Sequence, residues 1–230
     1  MDAIEFHSRQ AGSWENGYKT QTFGSRLEVL NALIPSNISG QFWLDAGCGT
    51  GTIARWMADN RGVTVTALDA SRPMIDNATP HPSVRFKVGN VENLPLADST
   101  CDGIVCSSVL EYFSNTRPVL SEFLRVLKPG GLLCLSVPNA NPLARIPLRL
   151  IYWMTMPLGR RRMFTYLDHS RQTYTSKSLK ALLVSSGFSP GKIAAFGTIT
   201  FYDRPVSPAP SLFMALSAKP ASERRQNSDD

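Results

Sequence analysis

Two carboxylates and three glycines carry the first chemical signal in the chain. They lie in Leu44-Asp45-Ala46-Gly47-Cys48-Gly49-Thr50-Gly51 and at Asp69. Three glycines within five positions allow tight turning and let a ligand approach the backbone. A helix following such a loop offers unpaired N–H groups to an anion. A dinucleotide loop would read GxGxxG, yet the sixth position counted from Gly47 is Thr52. Asp45, directly before the glycines, opposes a pyrophosphate and welcomes a cation. Asp69 suits the two hydroxyls of a ribose. A ligand with an ammonium, a carboxylate and a ribose therefore fits these residues better than a dinucleotide does. S-adenosylmethionine has all three.

The elements that must position these residues alternate along the chain. Phe42-Trp43-Leu44-Asp45 reads as a short strand, and residues 50–60 as a helix with Ile53, Ala54, Met57 and Ala58 on one face. Residues 63–68 are β-rich and end at Asp69. Ser71 starts a helix with Pro73 in its first turn. Strands are expected at 84–88, 103–106 and 132–137. A helix over 120–127 is expected to stop at Lys128-Pro129-Gly130-Gly131. The rhythm breaks after residue 138 and resumes with a helix over 176–187 and strands near 192–200 and 211–219. This alternation predicts an α/β fold, a doubly wound and mostly parallel sheet. The expected divisions are a lid and binding core over 1–138, a cap insertion over 139–175, the rest of the same sheet over 176–220, and a disordered polar tail over 221–230.

Five ordered stretches resemble the class I S-adenosylmethionine-dependent methyltransferases. Leu44–Gly51 looks like their first motif and Asp69-Ala70-Ser71-Arg72-Pro73-Met74-Ile75 like their second. Gly89-Asn90-Val91-Glu92-Asn93-Leu94-Pro95-Leu96 resembles their adenine-contact motif. Residues 102–112 resemble the fourth strand and its loop, and residues 124–131 the turn before strand five. The resemblance implies a Rossmann-like sheet of seven strands, the last antiparallel. It implies that Asp45, Ala46, Gly47 and Gly49 hold the methionine end of the cofactor and that Asp69 takes both ribose hydroxyls. Ala70 and Met74 would flank the adenine, Asn90 and Val91 would meet its edge, and Ser107 would line the methionine side. Two residues depart from the family pattern. Asn90 stands where Asp is usual, which implies weaker adenine binding, and Tyr112 stands where His is common.

Ala11–Tyr18 resembles the lid of many small-molecule methyltransferases. Trp14 and Tyr18 either close over the cofactor or pack on the core, and Arg26 is either a partner for the methionine carboxylate or a solvated helix charge. For the acceptor, His169 is the candidate base, since imidazole exchanges its proton near neutrality. Glu111 and Tyr112 follow strand four. Glu111 could orient an acceptor hydroxyl or amine, or cap a helix. No zinc-like cluster of His and Cys exists, and Glu111 is the sole candidate metal ligand in that loop, so no metal is expected.

The chain of 230 residues has a net charge of +6. Residues 1–138 are slightly acidic, whereas residues 139–167 hold five Arg and no acid. The excess is therefore a location. Within it, Arg145 and Arg149 alternate with aliphatic and aromatic residues, and Arg160-Arg161-Arg162 follow. Over residues 143–164 this composition fits a helical lid over the active site, or a lid that also touches an anionic membrane. A similar basic and apolar insertion is found in the ubiquinone-biosynthesis O-methyltransferases, which the chain resembles there. A nucleic-acid surface would spread its basic residues more widely. The acidic N-terminus lacks an apolar secretory segment, and four scattered cysteines fit reduced cytoplasmic thiols. The expected activity is methyl transfer to an O- or N-nucleophile of a small or amphipathic metabolite. An RNA methyltransferase and a cofactor-binding scaffold without catalysis are the alternatives.

Overall fold

The structure, a computed structural model, describes residues 3–17, 21–143, 145–146, 150, 153, 170–197, 200–201, 204–205 and 210–221. Its strands are β1 Phe42–Ala46, β2 Thr64–Asp69, β3 Val84–Val88, β4 Cys101–Ser107, β5 Leu127–Pro138, β6 Ser189–Phe196, β7 Thr200–Phe201, β8 Arg204–Pro205 and β9 Leu212–Ala218. Its helices are α1 Ala3–Ser8, α2 Trp14–Gly17, α3 Gln21–Leu33, α4 Thr52–Arg61, α5 Arg72–Asp76, α6 Arg117–Val126 and α7 Ser176–Ser185. Seven strands form one sheet in the order β3-β2-β1-β4-β5-β9-β6, and β7 and β8 pair separately. The first five strands are mutually parallel, and β9 runs antiparallel to both of its neighbours.

Side chains alternate across the central strands and feed two cores. Leu44 and Ile104 point with Leu120, Phe123, Leu179 and Leu183 into one core, under α6 and α7. Trp43, Val65 and Val105 point with Leu30 and Met57 into the other, under α3 and α4. Both faces of the sheet are covered, which is why β1 and β2 read as continuous apolar runs. The predicted face of α4 is buried as Ile53, Ala54, Met57 and Ala58. Strand order reverses between β1 and β4. In open α/β sheets such a switch point leaves a crevice at the carboxyl ends of the strands.

Several boundaries differ from the sequence expectation. Lys128-Pro129-Gly130-Gly131 does not end the structure of its segment. β5 already begins at Leu127, and the four residues lie inside it. The backbone of Gly130 and Gly131 exchanges hydrogen bonds with Lys219, so neighbouring chain supplies partners that a free turn would lack. α4 starts at Thr52, because Gly51 caps it in the left-handed region at φ +80°. β6 stops at Phe196, where Gly197 at φ +77° turns the chain, and Thr200 pairs with Pro205 instead. α7 stops at Ser185, two residues before Gly187 at φ +89°. The two ends of the insertion close on each other through a bridge between Asn139 and Tyr174. The expected tail, apart from Ala221, lies outside the described residues.

Candidate functional site

The glycine loop is tied to the end of β2. The N–H groups of Gly47 and Cys48 both donate to the Leu68 carbonyl, at 2.7 and 3.0 Å. The Asp69 carboxylate then bridges two motifs: Oδ2 accepts from Gly49 N at 2.8 Å and Oδ1 from Ser71 N at 2.8 Å. The Gly49 N–H is thus committed to Asp69. Ser71 caps α5 by accepting from Met74 N. Gly47 sits at φ +78°, and an added Cβ would overlap the Val109 side chain; at Gly51 it would overlap the Phe86 ring. Only glycine lets the loop lie against both neighbours.

A cavity of about 400 Å³ opens at this switch point. Of the residues expected to meet the cofactor, Arg26, Asp45, Gly47, Gly49, Asp69, Ala70, Met74, Asn90, Val91 and Ser107 line it, and so does Tyr112. Ala46 does not; its side chain is fully buried in the core. Tyr18 and His169 lie outside the described residues. His7 lines the cavity beside Trp14. Sequence reasoning passed over His7, because nothing local to residues 3–8 signals that α1 folds over strands 40 to 100 residues away.

Arg26 lines the cavity and is part-buried. Its guanidinium donates to Ser107 Oγ at 2.9 Å and Ser108 Oγ at 3.0 Å. The Ser107 and Ser136 hydroxyls are 3.0 Å apart, and Ser108 N donates to Ser136 Oγ. Ser108 adopts φ +57°, an uncommon conformation for a residue with a side chain, and the hydrogen bonds around it hold it there.

Two buried carboxyls stand out. Burial, reinforced by the charge of Asp69, pushes Asp45 up to about 7, against a hydrogen bond from the Ala54 backbone. Its Oδ2 is buried and has no hydrogen-bond partner. Burial likewise pushes Glu111 up to about 7, against its own backbone N–H and the charges of Arg26 and Arg145. Glu111 does not line the cavity. Its carbonyl accepts from the backbone N–H groups of Arg171 and Gln172, so the turn that carries it anchors the far end of the insertion. Asn90 Oδ1 accepts from Glu92 N at 2.9 Å, which commits a lone pair of its one side-chain acceptor to the local turn. Among the described residues, no three His, Cys, Asp or Glu side chains gather as a metal site.

The donor set matches S-adenosylmethionine in chemistry. An unpartnered buried carboxylate oxygen at Asp45 calls for a cation, and Asp69 keeps acceptor capacity beyond its two backbone bonds.

Residues 44–135 match the model of the methyltransferase domain family. A malonyl-[acyl-carrier protein] O-methyltransferase of Serratia marcescens is 36% identical over 141 residues, 60% of this chain and 53% of that protein. The chain therefore spans about half the length of that relative. O-methyltransferase rstn1 of Aspergillus nomiae is 30% identical over 194 residues, covering 77% of this chain and 78% of that protein. Among solved structures, the complex of the Haloferax volcanii Trm112 activator with a methyltransferase superposes at a TM-score of 0.74. It covers 96% of this chain at 16% identity, a likeness of fold alone. With the glycine loop, the strand order and the breadth of the rstn1 match in agreement, the chain belongs to the class I S-adenosylmethionine-dependent methyltransferases.

Proposed function

We propose that the chain transfers a methyl group from S-adenosylmethionine to an O- or N-nucleophile of a small or amphipathic metabolite. The observation that carries this is the pairing of Asp45 and Asp69 in one cavity: one carboxylate with a buried oxygen that has no partner, the other held by two backbone donors. In this reading Asp45 faces the ammonium and Arg26 the carboxylate of the methionine end. Gly47 and Gly49 let that end approach the backbone, with Ser107 beside it, and Asp69 accepts from the ribose hydroxyls. Ala70 and Met74 flank the adenine, and Asn90 and Val91 meet its edge. The cofactor brings a methyl group already activated on a sulfonium, so the chain's residues mainly align the acceptor and exclude water. The relatives' names point the same way, since they include O-methyltransferases. Calorimetry with S-adenosylmethionine, followed by methyl transfer to phenols, amines and carboxylic acids, tests the reading. Absence of cofactor binding sinks it. Binding without transfer leaves the scaffold, and transfer to RNA alone leaves the nucleic-acid enzyme.

The insertion supports a second reading, that the cap also touches an anionic lipid surface. Leu143, Ile146, Leu150 and Trp153 are 55–68% exposed, at spacings of three, four and three residues that fall on one side of a helix. Residues 139–167 hold five Arg and no acid. An apolar stripe in a basic, acid-free segment is the composition of an interfacial helix. No described helix is long and apolar enough to cross a membrane. Co-sedimentation with phosphatidylserine vesicles, weaker at high salt, is expected. Equal binding to neutral vesicles, or none, leaves the cap as a substrate lid only.

A further inference from the structure

Ser136 is the one hydroxyl in an apolar stretch of β5, Leu132-Leu133-Cys134-Leu135-Ser136-Val137. It is 1% exposed. A strand buried on both faces is ordinarily apolar, and a hydroxyl there is costly unless it is hydrogen-bonded. Ser136 is paired in register with Ser107, the last residue of β4, and the two side-chain oxygens are 3.0 Å apart. The N–H of Ser108 also donates to Ser136 Oγ, at 3.1 Å. The one polar side chain of this stretch is therefore spent on the two serines that hold Arg26.

Counting protons gives this cluster a direction. A hydroxyl has one proton to donate and two lone pairs. Were Ser107 to donate to Ser136, both lone pairs of Ser136 would be filled, by Ser107 and by Ser108 N. Its own proton would then have no acceptor among the described residues. A buried donor without a partner carries the full penalty of its desolvation. The reverse direction avoids this: Ser136 donates to Ser107. Ser107 Oγ then accepts twice, from Ser136 and from Arg26 Nη1 at 2.9 Å, and its own proton is left over. Ser107 lines the cavity, so that proton has the cavity to donate into. Ser108, the other serine that holds Arg26, has an acceptor within the protein: its side chain hydrogen-bonds the Glu111 carboxyl.

We propose that Ser136 is a positioning residue for the cofactor: it turns the Ser107 hydroxyl so that its proton, together with the Arg26 guanidinium, grips the carboxylate of the methionine end. This rests on the methyltransferase reading, which sets that carboxylate against Arg26. Arg26 is the one Lys or Arg among the described residues that line the cavity, and Ser107 adds a neutral donor beside it. The grip selects ligands by their carboxylate. S-adenosylmethionine carries that group. Decarboxylated S-adenosylmethionine keeps the sulfonium, ammonium, ribose and adenine and lacks the carboxylate alone. Ser136 lies behind Ser107, out of reach of the ligand, so it acts on this choice through the hydroxyl that it turns.

Calorimetry with these two ligands tests the assignment. Ser107→Ala removes the donor itself, and its affinity for S-adenosylmethionine should fall about tenfold, the size of one hydrogen bond to a charged group. Ser136→Ala leaves that hydroxyl in place but no longer turned, so a smaller loss of about fivefold is expected. Both variants should hold decarboxylated S-adenosylmethionine within about twofold of wild type, which also shows that they are folded. The double variant should bind S-adenosylmethionine no more weakly than Ser107→Ala alone, because Ser136 acts through Ser107. Equal weakening of both ligands in Ser136→Ala, complete loss included, makes Ser136 structural and overturns the proposal. So does an unchanged affinity for S-adenosylmethionine, or single losses that multiply to about fiftyfold in the double variant. Wild type that binds the decarboxylated ligand as tightly as S-adenosylmethionine overturns the grip on the carboxylate. Failure of wild type to bind either ligand is a separate result and overturns the methyltransferase reading itself.

Discussion

The two ends of the cavity are built in different ways. At the cofactor end, the glycine loop and the turns beside it are fixed by backbone groups of their own and of the adjacent strand. Leu68 holds Gly47 and Cys48, Ser71 caps α5, and Asn90 accepts from Glu92. The ties from Leu68 to Gly47 and from Asp69 to Gly49 join the ends of two adjacent strands. On the side of Tyr112, α1 meets the 110–112 turn through ring contacts and the returning segment meets it through backbone hydrogen bonds from Arg171 and Gln172 to Glu111, all between residues far apart in sequence. Local fixing gives a site that tolerates little change, whereas tertiary assembly leaves room for a different acceptor on the same frame.

The largest test of that contrast is Asp69→Ala. It removes the proposed ribose acceptor and leaves Gly49 N and Ser71 N without their partner. Two charge-assisted bonds at about 1.5–3 kcal/mol each imply a loss of cofactor affinity of 100-fold or more. Calorimetry decides it, and full retained affinity would refute the ribose assignment. Gly47→Ala should follow closely, costing about 2–3 kcal/mol of stability by urea unfolding, since both its φ and the Val109 contact oppose a side chain. Adding Val109→Ala should return the steric part and leave the strain. Simple additivity of the two changes would show that the contact is not the cause.

The buried carboxyls give a third test, and its sign is opposite to that of a salt-bridged acid. Asp45 and Glu111 are raised to about 7, so the folded protein keeps protons that the unfolded chain releases near 4. As far as these groups go, the ligand-free protein is therefore most stable at and below about pH 4. It loses stability as pH rises from there toward 7, by up to about 1.4 kcal/mol per unit for each group, and levels off above. A ligand ammonium beside Asp45 favours its ionised form. S-adenosylmethionine should then bind more tightly as pH rises through 7 and should release protons, read from calorimetry in buffers of different ionisation enthalpy. Uptake of protons on binding would contradict this placement of the ammonium. A smaller effect is expected of Asn90→Asp. One carboxylate oxygen would keep the Glu92 bond while the other accepts from the adenine amino group, tightening binding about five- to tenfold. Weaker binding would place the adenine elsewhere.

Legibility in the sequence follows the same division. The strands and the doubly wound order were readable because buried parallel strands leave apolar runs and glycine loops leave spacing, whereas the antiparallel last strand followed only from the resemblance to the methyltransferases. That Asp45 and Asp69 line the cavity was readable from strand ends beside the glycine loop, and that Asn90 does so from the motif resemblance. The place of His7 in the cavity was not, since it depends on where α1 lands. Nor was the committed N–H of Gly49, because loop spacing does not say which donors are already spent. Ala46 shows the converse. Its place inside a motif suggested contact, but alternation along β1 sends its side chain to the core. Lys128-Pro129-Gly130-Gly131 read as a stop because Pro and Gly usually are one, and Lys219 across the sheet overrode the local preference.

The smallest expected effect is also the cleanest probe of the two constructions, because it uses the same substitution in both. Gly24 lies inside α3, has no positive φ and has open space where a Cβ would stand. Alanine there meets no neighbour and restricts the unfolded chain more than glycine does. Gly24→Ala should therefore stabilise the protein by about 0.5–1 kcal/mol, raising the thermal midpoint by a few degrees, with cofactor affinity unchanged. The opposite sign at Gly47 follows from geometry alone, since the chemical change is identical. If Gly24→Ala were instead to weaken cofactor binding, α3 would have to move with the ligand, and Arg26, two residues on, would be the link through Ser107 and Ser108.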